Sequence, residues 1–479
     1  MLKNNRILLI AISLIYILLG VICLNYPYFW DNIQQTSREA HWFFENGFGH
    51  LFMPKYSVSN AEYAATGYHP PLMAIMTALL WRIFGCHLWV SHLFSMFWAV
   101  ILIYNVLKLS DIFFDKKLSV LVSTVILVES TLLTQFAIAS PDFILVTALV
   151  LSLRGILEKK SLLMFIGLFF LFGINMRGVF AGMVLFFSFV YYFFLTEKSR
   201  SFSMLISRFL PFLLVFVFIG AYYAAYFIVN GWFFGQADQG GHYSRPENVG
   251  FVIKHLAELG LRMLENGRFV VYITLSISII LVVLRKRTLD AKTKMLLVFF
   301  AGLFLLYLLF VFITRMPFAS RYFLPLNVVA TLVVFILLRN FSVKEFSVKW
   351  FVVVCLVFEL TGNFWIYPEA IAKSWDGTLA HLSYYPLRKE CFDYIDQNNI
   401  PYDSISAGFC LYGQRKMAEL TDNNGNIGSE PNRPYFIYSN ISNVPDEWLV
   451  QLKNHAEWKL EKEFTRYPVT IILYKRCER

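Results

Sequence analysis

The sequence predicts a polytopic α-helical membrane protein with a small α/β soluble domain at its C-terminal end, and three observations carry that prediction. Only 15% of the 479 residues are charged and 57% are hydrophobic, whereas soluble domains carry about 25% charged residues. Apolar runs near the bilayer-crossing length of about 20 residues recur along the chain as far as Ile366. From about Pro368 the polarity becomes ordinary and the apolar runs turn short and alternating.

The first run, Ile7 to Leu24, follows Lys3 and Arg6 and ends in Asn25-Tyr-Pro-Tyr-Phe-Trp30. It lacks the short core and small-residue cleavage site of a secretory signal and reads as an uncleaved spanning helix with an aromatic belt. Spans are predicted near 6–24, 88–107, 118–138, 143–157, 161–176, 179–196, 209–229, 269–284, 295–314, 322–338 and 350–366, about eleven in all. Pro70 to Phe84 is too short to cross, is interrupted by Arg82, and is predicted to lie at the membrane surface. With that placement five loops share the side of the N-terminus: Lys108–Lys117, Glu158–Lys160, Glu197–Arg208, Arg285–Lys294 and Arg339–Lys349. Each holds two or more basic residues. The positive-inside rule then puts the N-terminus in the cytoplasm and the first outer loop, 25–87, outside.

The net charge of +10 is absorbed by these orientation-setting loops and gives no indication of nucleic acid. The expected division is a membrane module over 1–367 and an extracytoplasmic domain over 368–479. In the latter, strands are expected at Asp403–Phe409, Pro434–Ser439 and Val469–Tyr474, with a helix at Leu387–Gln397. The six cysteines fit no metal-ligand spacing. For Cys391 and Cys410, a disulfide and free thiols both stay open. No repeat of 20–50 residues is visible, and no inverted pair of Gly/Pro-broken helices marks a secondary transporter.

Chemistry-bearing residues gather in the outer segments. Trp30-Asp31-Asn32 puts a carboxylate just after the first span, where it can act as a general base or cap a helix. Gly67-Tyr-His69-Pro-Pro-Leu72 sets His69 before a helix start, a place suited to an anion or to a simple turn. Ser140-Pro-Asp142 opens an apolar helix with an acid. Arg177, in Met-Arg-Gly, can grip a phosphate bidentately or snorkel to the headgroups. His242 and Arg245 lie in the loop 230–268, and Arg321-Tyr322 follows Arg315 at another helix start. Lys254, His255, Glu258 and Arg262 read as a solvated helical face, and Arg38, Glu39, Glu45, Lys55 and Glu62 as a solvated or interfacial face. Acids and cations converging on one side of a bundle suit a reaction on a membrane-embedded substrate with an anionic head.

The order of these motifs resembles the GT-C glycosyltransferases of the protein O-mannosyltransferase and aminoarabinose transferase group. The resemblance covers about residues 1–340. It implies a GT-C-like bundle with juxtamembrane helices in the first outer loop. It also implies a polyprenyl-phosphate-linked sugar as donor, and a lipid, glycan or protein as acceptor. Asp31 corresponds to the first-loop acid, the expected catalytic base or acceptor-orienting group, and Asp142 to the later acid, the second expected catalytic residue. His69, Arg177, His242, Arg245, Arg321 and Tyr322 are the expected donor-phosphate and substrate-binding residues. Asn32 stands where many relatives have Glu, so a divalent metal is left open. The implied reaction is an inverting transfer at the outer face of a bacterial inner (plasma) membrane. The alternative is a transporter or flippase of lipid-linked sugars, which would line a mid-helix path with groups such as Glu129 and Glu359. A non-catalytic scaffold would leave the ionisable positions scattered.

Overall fold

A computed structural model describes residues 2–49, 69–197, 201–231, 244–341, 343, 345–366, 375–422, 425–442, 444–452 and 457–477. The expected boundary at 367/368 lies outside the described residues. The membrane part opens with α1 (Leu2–Cys23), α2 (Arg38–Asn46), α3 (Leu72–Phe84), α4 (Leu88–Asp111), α5 (Lys116–Leu127) and α6 (Ser130–Ala137). It continues through α7 (Pro141–Leu157), α8 (Ser161–Ile174), α9 (Met176–Thr196), α10 (Phe202–Asn230) and α11 (Val249–Leu264). It closes with α12 (Phe269–Leu284), α13 (Ala291–Ile313), α14 (Leu324–Asn340) and α15 (Glu345–Gly362).

Each of the eleven apolar segments is helical. Five helices are long and apolar enough to cross a membrane, or up to seven if two bent pairs each count as one span, among the described residues. The 118–138 segment is not one straight helix: α5 and α6 meet at 61°. Glu129 breaks it, because its side chain accepts the Leu132 N–H at 2.6 Å and starts a second helix. Exposed Leu213, Val217 and Ile228 on α10, and Ile273, Ile277 and Ile280 on α12, form the apolar outside that a bilayer requires. Helix α7 is buried along its whole length, so α4 and α8 pack around a helix that meets protein on every side.

The segment between α1 and α4 is more compact than its composition suggests. Helix α3 has 13 residues, a rise of about 20 Å, and falls short of a bilayer core. Its Ala74, Ala78 and Trp81 bury against Phe43 of α2 and Val90 of α4. The reading of α2 as a solvated face is corrected: Arg38 and Glu39 are each 5% exposed. Burial pushes the Glu39 carboxyl well above the usual carboxylate range. Glu45 is exposed, while Lys55 and Glu62 lie outside the described residues.

Helix α11 is corrected in the same way. Its face with His255 and Arg262 is buried, and it meets α12 at 101°. Gly267 makes that corner at φ +92, where a Cβ would sit 2.1 Å from the Phe358 carbonyl oxygen. The α11 side chains satisfy a buried turn. Arg262 Nε donates to the Phe318 carbonyl at 2.7 Å, and Glu258 Oε1 accepts the Phe318 N–H at 3.1 Å. The turn they hold leads directly into Ser320–Phe323, which carries Arg321.

The C-terminal region has α16 (Tyr384–Gln397), α17 (Arg415–Glu419), α18 (Asp446–Leu452) and six strands. These are β1 (Ile405–Ala407), β2 (Gly413–Gln414), β3 (Asn426–Ile427), β4 (Tyr435–Ser439), β5 (Trp458–Arg466) and β6 (Val469–Arg476). The main sheet runs β1-β4-β6-β5, with β1 parallel to β4 and the other pairs antiparallel. The three expected strands are β1, β4 and β6. Strand β5 escapes sequence reading because it is an edge, studded with Lys459, Glu461, Lys462 and Glu463. Cys391 and Cys410 are buried free thiols. This region seats on the segment between α1 and α4: Ala418 O accepts the Tyr28 N–H at 2.8 Å, and Tyr26 stacks on Tyr385 at 4.1 Å.

Candidate active site

Four helix starts and one short turn aim ionisable groups at a common point. Asp31 follows Trp30, which holds φ 56, a left-handed conformation that is costly for a bulky residue. Packing secures it: the indole meets Phe409 edge-on at 5.1 Å, and Asn32 Nδ2 donates to the Ile138 carbonyl at 2.9 Å. Asn32 is therefore a strap to the end of α6. Asp142 enters at the first turn of α7, where the Ser140 hydroxyl accepts its N–H at 3.2 Å. Arg177 sits in the first turn of α9, capped by Asn175, whose Oδ1 accepts the Gly178 N–H at 3.0 Å. Gly178 is required there, since a Cβ would stand 1.8 Å from the Leu171 carbonyl oxygen.

Asp142 is the buried centre of the group, its side chain 4% exposed. Arg177 grips it with both ends of its fork, Nε and Nη2 to Oδ1 at 3.0 and 2.8 Å and Nη2 to Oδ2 at 2.7 Å. Asn175 Nδ2 donates to Oδ1 at 3.1 Å. Arg321 Nε lies 3.3 Å from Oδ2. The other two nitrogens of Arg321 bond Asp31 and Asp376. Tyr322 lies under both cations, 4.5 Å from Arg177 and 5.3 Å from Arg321.

His69 belongs to this group, but not as a cation. Burial first, then the positive charges of Arg177 and Arg321, hold its pKa down to about 3. The Met176 N–H donates to its Nδ1 at 3.2 Å, which fixes the tautomer with the proton on Nε2. Arg245 stands apart, exposed, its carbonyl accepting from Arg315 Nε at 3.1 Å. His242 lies outside the described residues.

Sequence reasoning missed Asp376. It belongs to Trp375-Asp376-Gly377, and the one signal was its likeness to Trp30-Asp31, an acid after an aromatic beyond a span's end. It also missed Asn175, whose signal is a polar residue breaking two apolar helices.

Beside these groups opens an apolar cavity of about 350 Å³. His69, Arg177 and Tyr322 line its polar end, and Phe180, Leu303, Leu306, Phe310 and Ile313 line the rest. Among the described residues the space thus joins an apolar wall to a single cation, Arg177.

The metal left open by the sequence meets a poor donor set. Among the described residues no group of three or more His, Cys, Asp or Glu is arranged to hold a metal ion. Asp31 and Asp142 share the Arg321 guanidinium where a metal ion would bridge them. These residues, so arranged, do not fit a divalent ion.

The crystal structure of ArnT from Cupriavidus metallidurans bound to undecaprenyl phosphate aligns with 98% of this chain and 98% of its own, at TM-score 0.52 and 11% identity. The chain has the ArnT fold. The GT-C resemblance read from the motifs is thus met in the fold, with the bundle and the C-terminal region both included. Two structures of the Archaeoglobus fulgidus oligosaccharyltransferase also align. One, with Zn and sulfate, gives TM-score 0.41 at 13% identity, covering 74% of this chain and 53% of that one. The apo form gives 0.43 at 14%, covering 90% and 62%. No family model and no curated protein matches the sequence.

Proposed function

We propose that this integral membrane protein is a glycosyltransferase that moves a sugar from a polyprenyl-phosphate donor to a lipid, glycan or protein acceptor. One observation carries the reading: a carboxylate–arginine cluster meets an apolar cavity through Arg177. The undecaprenyl phosphate bound to ArnT, a protein of the same fold, favours that donor class.

In this reading the polyprenyl chain lies along Phe180, Leu303 and Phe310, its phosphate meets Arg177 and His69 at the polar end of the cavity, and Arg321 stands beside them on Asp142. Asp31, the most exposed acid of the cluster at 31%, faces the acceptor. It takes the acceptor proton as the acceptor oxygen bonds the anomeric carbon. The bond from that carbon to the phosphate oxygen breaks, the configuration inverts, and the phosphate leaves with one more negative charge. Both guanidiniums are placed to stabilise that charge, which develops only along the reaction. Asp142 keeps Arg177 and Arg321 in position. The basic loops on the opposite side favour a cytoplasmic N-terminus and an extracytoplasmic site.

The flippase alternative loses one of its two mid-helix groups: Glu129 caps α6 and pairs with Arg268 at 2.8 Å. Mass spectrometry of surface glycolipids and glycoproteins from cells with and without the gene tests the proposal. Loss of one sugar from one acceptor class is expected. An unchanged glycan profile with accumulation of the lipid-linked sugar on one leaflet would favour the flippase.

A further inference from the structure

Asp376 has no part in the reaction just described, yet it is among the best-fixed groups of the cluster. Its side chain is 5% exposed and bonds Arg321 Nη1. Its backbone is pinned to α6, where Gln135 Nε2 donates to its carbonyl at 2.6 Å and Thr131 Oγ1 to the next carbonyl at 3.0 Å. Asp31, on Nη2 of the same guanidinium, is 31% exposed. Arg321 thus faces a fixed carboxylate on one side and an accessible one on the other. With Asp142 against Nε, all three of its nitrogens already lie on carboxylates. Three carboxylates meet two guanidiniums, so an arriving phosphate must compete for Arg321.

Resting on the donor reading above, we propose that the donor's phosphate binds by exchange: it displaces Asp31 from Arg321, while Asp376 keeps the guanidinium in place. The exchange has two consequences. The phosphate gains a charge-assisted contact that the resting site has held ready. Asp31 leaves Arg321 just as the donor arrives and is freed to turn toward the acceptor. The base is masked until there is a donor to attack. Asp376 is a positioning residue, contributed by the turn that leads into the C-terminal region, which ties that region to the site.

The test is equilibrium binding of undecaprenyl monophosphate to the full-length protein in nanodiscs, with melting temperature followed for each variant. Asp31→Asn and Asp376→Asn each remove one negative charge from the same guanidinium, so a purely electrostatic role predicts equal tightening. Exchange predicts opposite effects. Asp31→Asn binds about tenfold tighter, because the competitor is gone. Asp376→Asn binds several-fold weaker, because Arg321 loses its anchor, and Asp376→Glu recovers most of the affinity. Arg321→Ala binds at least about tenfold weaker. Equal tightening in the two Asn variants, or weaker binding by Asp31→Asn, overturns the exchange and leaves the donor reading standing. If the wild-type protein, correctly melting, binds no undecaprenyl monophosphate, the donor reading fails and the exchange with it. If Asp376→Asn does not assemble, the direction of the Asp31→Asn change decides the exchange, and Asp376→Glu decides the anchor.

Discussion

Arg321 and Arg268 are both buried arginines in ion pairs, and their surroundings differ in one respect. Arg268 is 2% exposed, pairs with Glu129 at 2.8 Å, and donates to the Arg262 carbonyl at 2.6 Å and to Thr131. Nearby, Arg262 pairs with Glu265 at 2.9 Å, each 3% exposed. That network is closed and fastens α6, α11 and α12 together. The Arg321 network is built from the same groups, but it includes the half-exposed Asp31 and borders the apolar cavity through Arg177 and Tyr322. Buried charge alone therefore does not mark a site. A closed network holds helices in register; one with an accessible carboxylate and an apolar cavity beside it is the one proposed to turn over a substrate.

Substitution of the two arginines is the strongest way to break this distinction. Arg268→Ala leaves Glu129 buried without its cation and is expected to cost about 3–5 kcal/mol. A steep fall in melting temperature or loss of monodisperse protein in detergent would register it. Arg321→Ala strands only the buried Asp376, since Asp142 keeps Arg177 and Asp31 meets water, so a loss at or below the low end of that range, about 3 kcal/mol, is expected. Equal losses in the two variants would erase the contrast.

Gly178→Ala tests the support beneath Arg177. A methyl group there meets the Leu171 carbonyl at 1.8 Å, so α9 must shift from α8 at a cost of about 1–3 kcal/mol. Misplacement of Arg177 relative to Asp142 would then lower transfer more than it lowers stability. A variant with wild-type melting and transfer would show that the α8–α9 contact does not set the position of Arg177.

The smallest effect concerns pH. Folded His69 stays neutral down to about 3, whereas the unfolded chain takes up that proton near its ordinary value of about 6.5. Between those values the unfolded state binds more protons, so this group makes stability rise with pH. The slope is at most about 1.4 kcal/mol per pH unit and flattens above about 6.5. His69→Gln should remove that part of the slope while keeping a side-chain donor. Identical pH–melting profiles for the two proteins would show that His69 does not titrate this way.

The sequence made the bundle legible because apolar length and loop charge are local signals. It also made Asp31, Asp142, Arg177 and Arg321 legible, since each lies at a helix start or turn on the same predicted side. What it hid depends on distant partners. Arg321 and Asp31 are 290 positions apart, and nothing local says that one guanidinium joins them. Arg38, Glu39, His255 and Arg262 look solvated by type, yet they are buried, Arg262 because the Phe318 turn needs a polar partner where water is excluded. Asp376 was hidden for the same reason, since it has meaning only next to Arg321. The break at Glu129 was masked by apolar residues on both sides of it.

The most direct test of sugar transfer at this cluster is a donor-dependent assay on membranes carrying the wild-type protein or Asp31→Asn. The sugar released onto the acceptor is quantified, and folding is checked by melting temperature. The account predicts that transfer falls by about 10²–10⁴-fold, the contribution of a positioned general base, with melting close to wild type. Full transfer by a correctly folded Asp31→Asn protein would contradict it.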